Sequence, residues 1–494
     1  MNSAPPSHRR RTALPPRSLA GGTRHPWLAV MATALGTTLA MHWVPEDPQP
    51  QLALFAPAFA LAAGLLMAPL WAAIRDPKSL LCGEHLLTLA PIYWLLLDLL
   101  QGAYELDGVT QREARLSFLC IGLFVASVWA ASLFRPIAIP GVVRSAGRLE
   151  ARPGVLFGLA LCAFAAGMFK FAQPCGFNPL TMIHYLGENR WGAPWTRGFA
   201  GGWDAFRDVL QYFGYLLPTM FVLLGRKAGW FSGQTLTVAV LAAIQVLFLA
   251  QEGGRRTVGV ACGMAIIFWL LTERRLGLRG MLVAGVAAVG LLALMEMMLN
   301  YRNVGFQALV RTEFQSAEEG GPRAEVVVRV DDNFLRLAQS IHIVPNLHEH
   351  THYKYFLYVL VRPIPRVFWP GKPTDPGFDL PEALGLPGVS LSSSIVGELW
   401  VAGGFWAVAF GGLLYGLVAR SAGRLLSGDM KVGELIIYCT TMMALFAGFR
   451  SMLDLVLISY VILAWIALAW LYQFFGGGAA ALRRTSTRPA RVTP

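Results

Sequence analysis

Arginine residues beside apolar segments are the first candidates for chemistry in this chain. Arg255 and Arg256 follow two glycines in a short turn, and Arg302, Arg366 and Arg450 lie near other ends of apolar segments. A guanidinium group binds phosphate oxygens through two parallel hydrogen bonds, which a lysine ammonium does not match. These positions predict a site for a phosphate-bearing substrate at headgroup level. The alternative is that each arginine only anchors its helix to lipid phosphate.

Glu398 and His352 are the candidates for a general base. Glu398 follows Gly397 at the start of an apolar segment, and His352 ends the run His-Glu-His-Thr-His. A carboxylate or imidazole at the end of a helix can accept the proton of an attacking hydroxyl group. For Glu398 the alternative is a structural carboxylate that the helix macrodipole favours at a helix start.

Neither the histidines nor the paired aspartates form a complete metal site in the sequence. His348, His350 and His352 alternate at a spacing of two, which places them on one face of an extended segment, but no fourth ligand accompanies them. Asp331 and Asp332 resemble a metal-binding carboxylate pair, although a solvated helix face is the simpler interpretation. We therefore predict neither a metal ion nor a cofactor.

The elements that position these residues are apolar segments of membrane-spanning length. Hydrophobic residues make up 55% of the 494, charged residues only 14%, and the mean hydropathy is +0.51. A soluble domain of this composition would expose large apolar patches, so the sequence predicts an all-α integral membrane protein. A hydrocarbon core of ~30 Å requires about 20 residues per helix. We predict about twelve transmembrane helices, at 27–44, 52–74, 86–101, 116–134, 154–169, 208–225, 235–251, 257–272, 280–299, 396–418, 433–448 and 454–475.

Lysine and arginine set the predicted orientation. They are concentrated in both tails and in the short loops on one side, and such loops remain in the cytoplasm. We predict a multi-pass protein of a bacterial inner membrane with both termini cytoplasmic, and we attribute the net charge of +12 to topology rather than to nucleic-acid binding. The predicted organisation is a disordered basic tail (1–26), nine helices (27–299), a large periplasmic loop (300–395), three helices (396–475) and a basic tail (476–494).

Two outer loops are too long to be simple connections, which suggests a function for them. In the loop 300–395, residues 325–344 predict an amphipathic helix, and the apolar run 355–361 predicts an interfacial or re-entrant piece. The loop 170–207 is rich in aromatic and polar residues, among them Trp195. That composition is equally typical of glycan binding and of a membrane interface.

The second half of the loop 300–395 resembles a known family. After the apolar run come Pro365-Arg366, Trp369-Pro370, Lys372-Pro373, a serine-rich patch and Gly397-Glu398. This order, over about 35 residues, is similar to that of the oligosaccharide repeat-unit polymerases, the O-antigen (Wzy-like) polymerases. The resemblance implies a GT-C-like glycosyltransferase that moves a glycan from one undecaprenyl pyrophosphate to the repeat unit on another. It also makes Lys372 a candidate substrate-binding residue, with the capping of a turn as the alternative.

Other functions remain open at this stage. An O-antigen ligase of the WaaL type would use the same lipid-linked donor with a different acceptor, and spacing and charge do not separate the two. A polysaccharide or lipid transporter is disfavoured by the long outer loop and by the lack of inverted-repeat symmetry. The expected partners are undecaprenyl-pyrophosphate-linked glycans and membrane lipids, together with a chain-length regulator and a flippase.

Overall fold

The computed structural model describes residues 26–196, 204–252, 254–273, 277–301, 305, 330–362, 364, 368–373, 375–386, 389, 391–426 and 431–486. Two candidate site residues, Arg302 and Arg366, lie outside these ranges, as do residues 1–25 of the predicted N-terminal tail. The described residues fold into helices joined by turns, and they contain no β-strand.

The helices are numbered here in chain order. They are α1 Pro26–Trp43, α2 Phe55–Arg75, α3 Gly83–Gln101, α4 Gln111–Ala130, α5 Gly141–Gly147, α6 Pro153–Ala172, α7 Pro179–Leu186, α8 Asp204–Gly214, α9 Leu217–Ala228, α10 Gly233–Gln251, α11 Arg255–Thr272, α12 Leu278–Tyr301, α13 Asn333–Ile343, α14 Tyr353–Val361, α15 Leu380–Ala383, α16 Ser394–Gly423, α17 Val432–Gly448 and α18 Met452–Ser486.

Each predicted span coincides with helical structure, to within a few residues at most ends. Within the described part of the chain, ten helical segments are long and apolar enough to cross a bilayer. The other two predicted spans correspond to α1, with 18 residues, and to α17, with 17 residues. The chain is therefore an α-helical, multi-pass membrane protein. The last helix continues to Ser486, beyond the predicted end at 475.

Small residues allow the central helices to approach closely. A Cβ atom on Gly412 of α16 would lie 2.3 Å from the Phe124 carbonyl oxygen of α4, and one on Gly416 would lie 2.4 Å from that of Val128. Lipid provides little hydrophobic drive for helix association, so close van der Waals contact at such glycines stabilises the pair. This contact fixes α16, which carries Glu398, against the centre of the bundle.

Part of the long loop 300–395 lies inside the bundle rather than above it. Helix α13 packs between α4 and α16, where the ring of Phe334 lies 5.0 Å from that of Phe118. The Trp400 indole N–H donates to the Val344 carbonyl at 2.9 Å. An amphipathic helix was predicted at 325–344. Residues 325–329 lie outside the described ranges, residues 330–332 are not helical, and the helix runs from Asn333 to Ile343. Its apolar face is buried by protein, so this part of the loop belongs to the packed bundle.

Helix α16 is interrupted near its start, although the sequence predicted one continuous span. Gly403 (φ −177°, ψ 29°) and Gly404 (φ 62°, ψ −147°) depart from helical geometry, and only glycine adopts the positive φ of Gly404 with little strain. The break releases backbone groups, and the Val401 carbonyl accepts a hydrogen bond from the Thr351 N–H at 3.1 Å. Glu398 therefore lies on a short helical piece that precedes the break.

Candidate functional site

The ends of four helices meet in a cluster of charged side chains. Arg450, between α17 and α18, donates through Nε to Asp331 Oδ2 at 2.8 Å and through Nη1 to Asp454 Oδ2 at 3.4 Å. Arg256, at the start of α11, also donates to Asp454. Two of the predicted arginines thus share one aspartate in the first turn of α18.

Arg255 and Asp98 extend this cluster to α3. Arg255 Nη2 donates to the Val330 carbonyl at 2.6 Å. The Asp98 carboxylate accepts the N–H of Val330 at 3.0 Å and that of Asp331 at 3.1 Å. Asp98 is only 4% exposed, so both bonds are shielded from water. Together these contacts fix residues 330–331, which lead into α13, to the end of α3.

We call these six residues the arginine–aspartate cluster; its members are Arg255, Arg256, Arg450, Asp98, Asp331 and Asp454. Three positive and three negative formal charges balance within it. Burial opposes the charge on Arg450, but Asp331 and Asp454 outweigh it and raise the pKa of Arg450 above its usual value. Arg256 is the most accessible side chain of the Arg256–Asp454–Arg450 contacts, at 38% exposed against 21% for Arg450 and 3% for Asp454. Of these three side chains, Arg256 is therefore the most open to an approaching anion.

A cavity of about 710 Å³ lies beside the cluster, between α14, α15 and the start of α16. Its lining combines carboxylates, aromatic rings and serine hydroxyls: His348, Tyr355, Tyr358, Asp375, Pro376, Gly377, Phe378, Asp379, Leu380, Pro381, Glu382, Ala383, Leu391, Ser392, Ser393, Glu398 and Val401. The volume falls within the range of ~300–1,000 Å³ that is usual for small-ligand sites. All of its described lining comes from residues 348–401, the second half of the long loop and the first helical piece of α16.

Glu398 is a buried wall residue of this cavity, at 8% exposed. Its Oε2 atom accepts the N–H of Met452 at 2.6 Å, and the hydroxyl groups of Ser451 and Tyr355 also bond to the carboxylate. Met452 is the first residue of α18, so Glu398 caps a helix other than its own. The carboxylate is therefore held in one orientation beside a cavity, as a base needs to be, and it has a structural role as well.

A short backbone segment, 449–452, separates the cavity from the arginine–aspartate cluster. On the cavity side, Ser392 donates its hydroxyl to the Arg450 carbonyl at 2.5 Å, and Glu398 accepts the Met452 N–H. From the same segment, the Arg450 side chain extends into the cluster. A positively charged side chain and a candidate base are thus both connected to one turn.

The histidine run serves partly to stabilise the interruption in α16. His350 Nδ1 lies 3.3 Å from the Val401 carbonyl oxygen, which the break releases. His352 is exposed, and its ring centroid lies 6.2 Å from that of His350, while His348 lines the cavity. The described residues contain no group of three histidine, cysteine or acidic side chains with geometry for a metal ion.

Lys372 is not part of the cluster. Its Nζ donates to the carbonyl oxygens of Arg362 at 3.0 Å and Ile364 at 2.6 Å, and the side chain is buried. These contacts match the alternative of a capped turn that the sequence left open. Arg302 and Arg366, the other arginine candidates, lie outside the described residues. The structure thus brings together Arg255, Arg256 and Arg450, places Glu398 beside them, and separates Lys372 from them.

Two tryptophans in the described part of the loop 170–207 differ in exposure. Trp195 is buried, stacks edge-on against Phe171, and donates its indole N–H to Gln251 Oε1 at 2.8 Å. Lys170, placed in this loop from the sequence, belongs instead to α6 and pairs with Glu252 and, at 3.4 Å, with Asp208. Trp191 remains exposed, with the Arg190 guanidinium 4.0 Å from its ring centroid.

Comparisons of the chain with protein-family models, with curated proteins and with solved structures give no match. The fold establishes the class of an α-helical multi-pass membrane protein. The chemistry within that class is argued from the site alone.

Proposed function

We propose that this protein joins lipid-linked oligosaccharides into a polysaccharide, as a repeat-unit polymerase with a GT-C-like arrangement of helices. One observation carries the proposal. The arginine–aspartate cluster and a polar cavity with a buried carboxylate are attached to the same turn, residues 449–452. Transfer of a sugar from a diphosphate requires positive charge at the leaving group and a base at the acceptor, close together.

The reaction breaks the bond between the anomeric carbon of the donor glycan and the diphosphate oxygen. The acceptor hydroxyl oxygen forms the new bond to that carbon and gives its proton to Glu398, with His352 as the second candidate. The lipid diphosphate leaves with the bonding electrons, and Arg256 stabilises its charge. Arg302 and Arg366 remain predicted contributors. Because Arg450 bonds to two carboxylates and is less exposed than Arg256, its part is to hold the turn and the carboxylates in place.

The arrangement of helix ends supports an outward-facing site. The cluster joins the C-terminal ends of α3 and α17 to the N-terminal ends of α11 and α18. In the predicted topology these four ends all lie on the side opposite the basic short loops. The proposed site therefore faces the periplasm of a bacterial inner membrane, with both termini cytoplasmic. Glycan carried on undecaprenyl pyrophosphate is the expected substrate there.

The test is chain extension in proteoliposomes that contain lipid-diphosphate-linked repeat units, analysed as a ladder on a gel. Arg256→Ala is expected to lower the rate at least 100-fold, and Arg256→Lys to restore it only partly, because lysine supplies charge without the two-pronged geometry. Arg75→Ala is the matched control, since Arg75 lies 5.5 Å from the Trp71 ring at the end of α2 and away from the cluster. A normal ladder from Arg256→Ala would refute the assignment. Transfer to a different lipid acceptor without extension would indicate a ligase.

A further inference from the structure

The cavity beside Glu398 has an uneven distribution of charge. Its lining holds four carboxylates, those of Asp375, Asp379, Glu382 and Glu398, and among the described lining residues there is no lysine or arginine. Asp379 and Glu382 are exposed within the opening, and no ion pair involving either is found in the described part of the chain. The described lining side chains therefore carry net negative charge, while two cations border them: the Arg362 guanidinium lies 5.5 Å from the centroid of the Tyr358 ring, and the Lys354 side chain lies beside Gly377.

The other lining groups suit a sugar. Tyr355, Tyr358 and Phe378 line the cavity, and the C–H groups of a pyranose can pack against aromatic rings of this kind. Ser392 and Ser393 line the same space with hydroxyl groups, and the ring of His348 lies 5.1 Å from that of Phe378. Aromatic faces with a few polar groups are the usual composition of a small-ligand site. These groups point to a ligand with many hydroxyl groups.

From these observations we infer that the cavity binds the acceptor glycan through sugars that are neutral or carry a free amino group, and that it rejects sugars carrying a carboxylate. Asp379 and Glu382 are the specificity-determining residues. The inference rests on the proposed function. It also explains how the acceptor is oriented, because its diphosphate is repelled from the carboxylate-lined cavity and its sugars are not.

The test measures binding of single sugars to the full chain in nanodiscs by saturation-transfer NMR. The probes are methyl glucoside, methyl glucosaminide and methyl glucuronide. We expect the glucosaminide to bind at least as well as the glucoside, and the glucuronide at least fivefold more weakly. The double variant Asp379→Asn/Glu382→Gln is expected to bring the glucuronide to within twofold of the glucoside, with little change for the glucoside itself.

The matched control is Asp47→Asn/Glu105→Gln, which removes two exposed charges that do not line the cavity. It should leave the preference unchanged. High salt provides a second measurement on the unaltered chain: raising NaCl from about 10 mM to about 500 mM should reduce the discrimination, because the Debye length shortens from ~30 Å toward 5 Å or less.

Each outcome separates this inference from the proposed function. Equal binding of all three probes would overturn the inference and leave polymerisation untouched. Failure of every probe to bind, in a preparation that still extends lipid-linked chains, would also overturn it. The predicted order of binding in a preparation that never extends chains would support the sugar specificity and count against the polymerase.

Discussion

Replacing Asp98 with asparagine should release the start of α13 from the bundle. Asp98 accepts two backbone N–H bonds, from Val330 and Asp331, and is almost fully buried. Asparagine keeps one acceptor oxygen and presents an amide donor to the second N–H. A hydrogen bond to a charged acceptor contributes about 1.5–3 kcal/mol. Loss of one bond, with two donors left facing each other, should therefore weaken the docking of 330–331 by roughly 2–3 kcal/mol.

A change of that size raises the population of the undocked segment about 30- to 150-fold, since ~1.4 kcal/mol corresponds to a factor of ten. Hydrogen–deuterium exchange followed by mass spectrometry, on peptides covering 330–343, should show correspondingly faster exchange. Peptides from α1 and α2 should not change. Glu105→Gln, an exposed acid in the loop after α3, is the control. Exchange in 330–343 that stays within twofold of the unaltered chain would refute the claim that Asp98 holds this segment.

Three further predictions address the chemistry and the topology. Glu398→Gln should lower the rate of chain extension at least 100-fold while preserving substrate binding and thermal stability. Glutamine can still accept the Met452 N–H but cannot accept a proton. If Glu398→Gln is fully active and His352→Ala is inactive, the base is His352. Chain extension should continue in excess EDTA, because arginine supplies the positive charge, and activity that returns only on addition of Mg²⁺ or Mn²⁺ would contradict this. Cysteines introduced at positions 316 and 394 should differ in labelling by a membrane-impermeant thiol reagent. A cysteine at Ser316 is predicted to react from the periplasmic side, whereas one at Ser394, which is fully buried, should react only after unfolding. Labelling at 316 from the cytoplasmic side would reverse the orientation.

Hydrophobicity was sufficient to locate the membrane helices but not their interruptions. The predicted span 396–418 lies within α16, yet Gly403 and Gly404 break that helix. Adjacent glycines were the available signal. A hydropathy window does not detect the break. The break depends on partners for the backbone groups that it releases, such as the Thr351 N–H, which donates to the Val401 carbonyl. Glu398 was correctly placed near a helix start, but its contact with Met452 joins two helices that are distant in the chain.

For the charged residues, too, the sequence located the side chains along the chain but did not predict their partners. The sequence identified Arg255, Arg256 and Arg450 as candidates near helix ends, and the structure brings them together. The sequence did not predict that Asp98, Asp331 and Asp454 would lie beside these arginines, because the pairing depends on which helix ends become neighbours. For Lys170 the sequence predicted the wrong location. This lysine, at the edge of a predicted span, was assigned to a loop, whereas Asp208 on α8 and Glu252 just after α10 allow it to lie buried within α6.

The most direct test of the proposed function is the stoichiometry of the reconstituted reaction. Purified chain in vesicles receives only lipid-diphosphate-linked repeat units, with no nucleotide sugar and no ATP, and both new glycosidic bonds and released undecaprenyl pyrophosphate are counted. The proposal predicts one lipid diphosphate released for each bond formed, with products that lengthen by whole repeat units. Movement of the substrate across the vesicle membrane without any new glycosidic bond would contradict it.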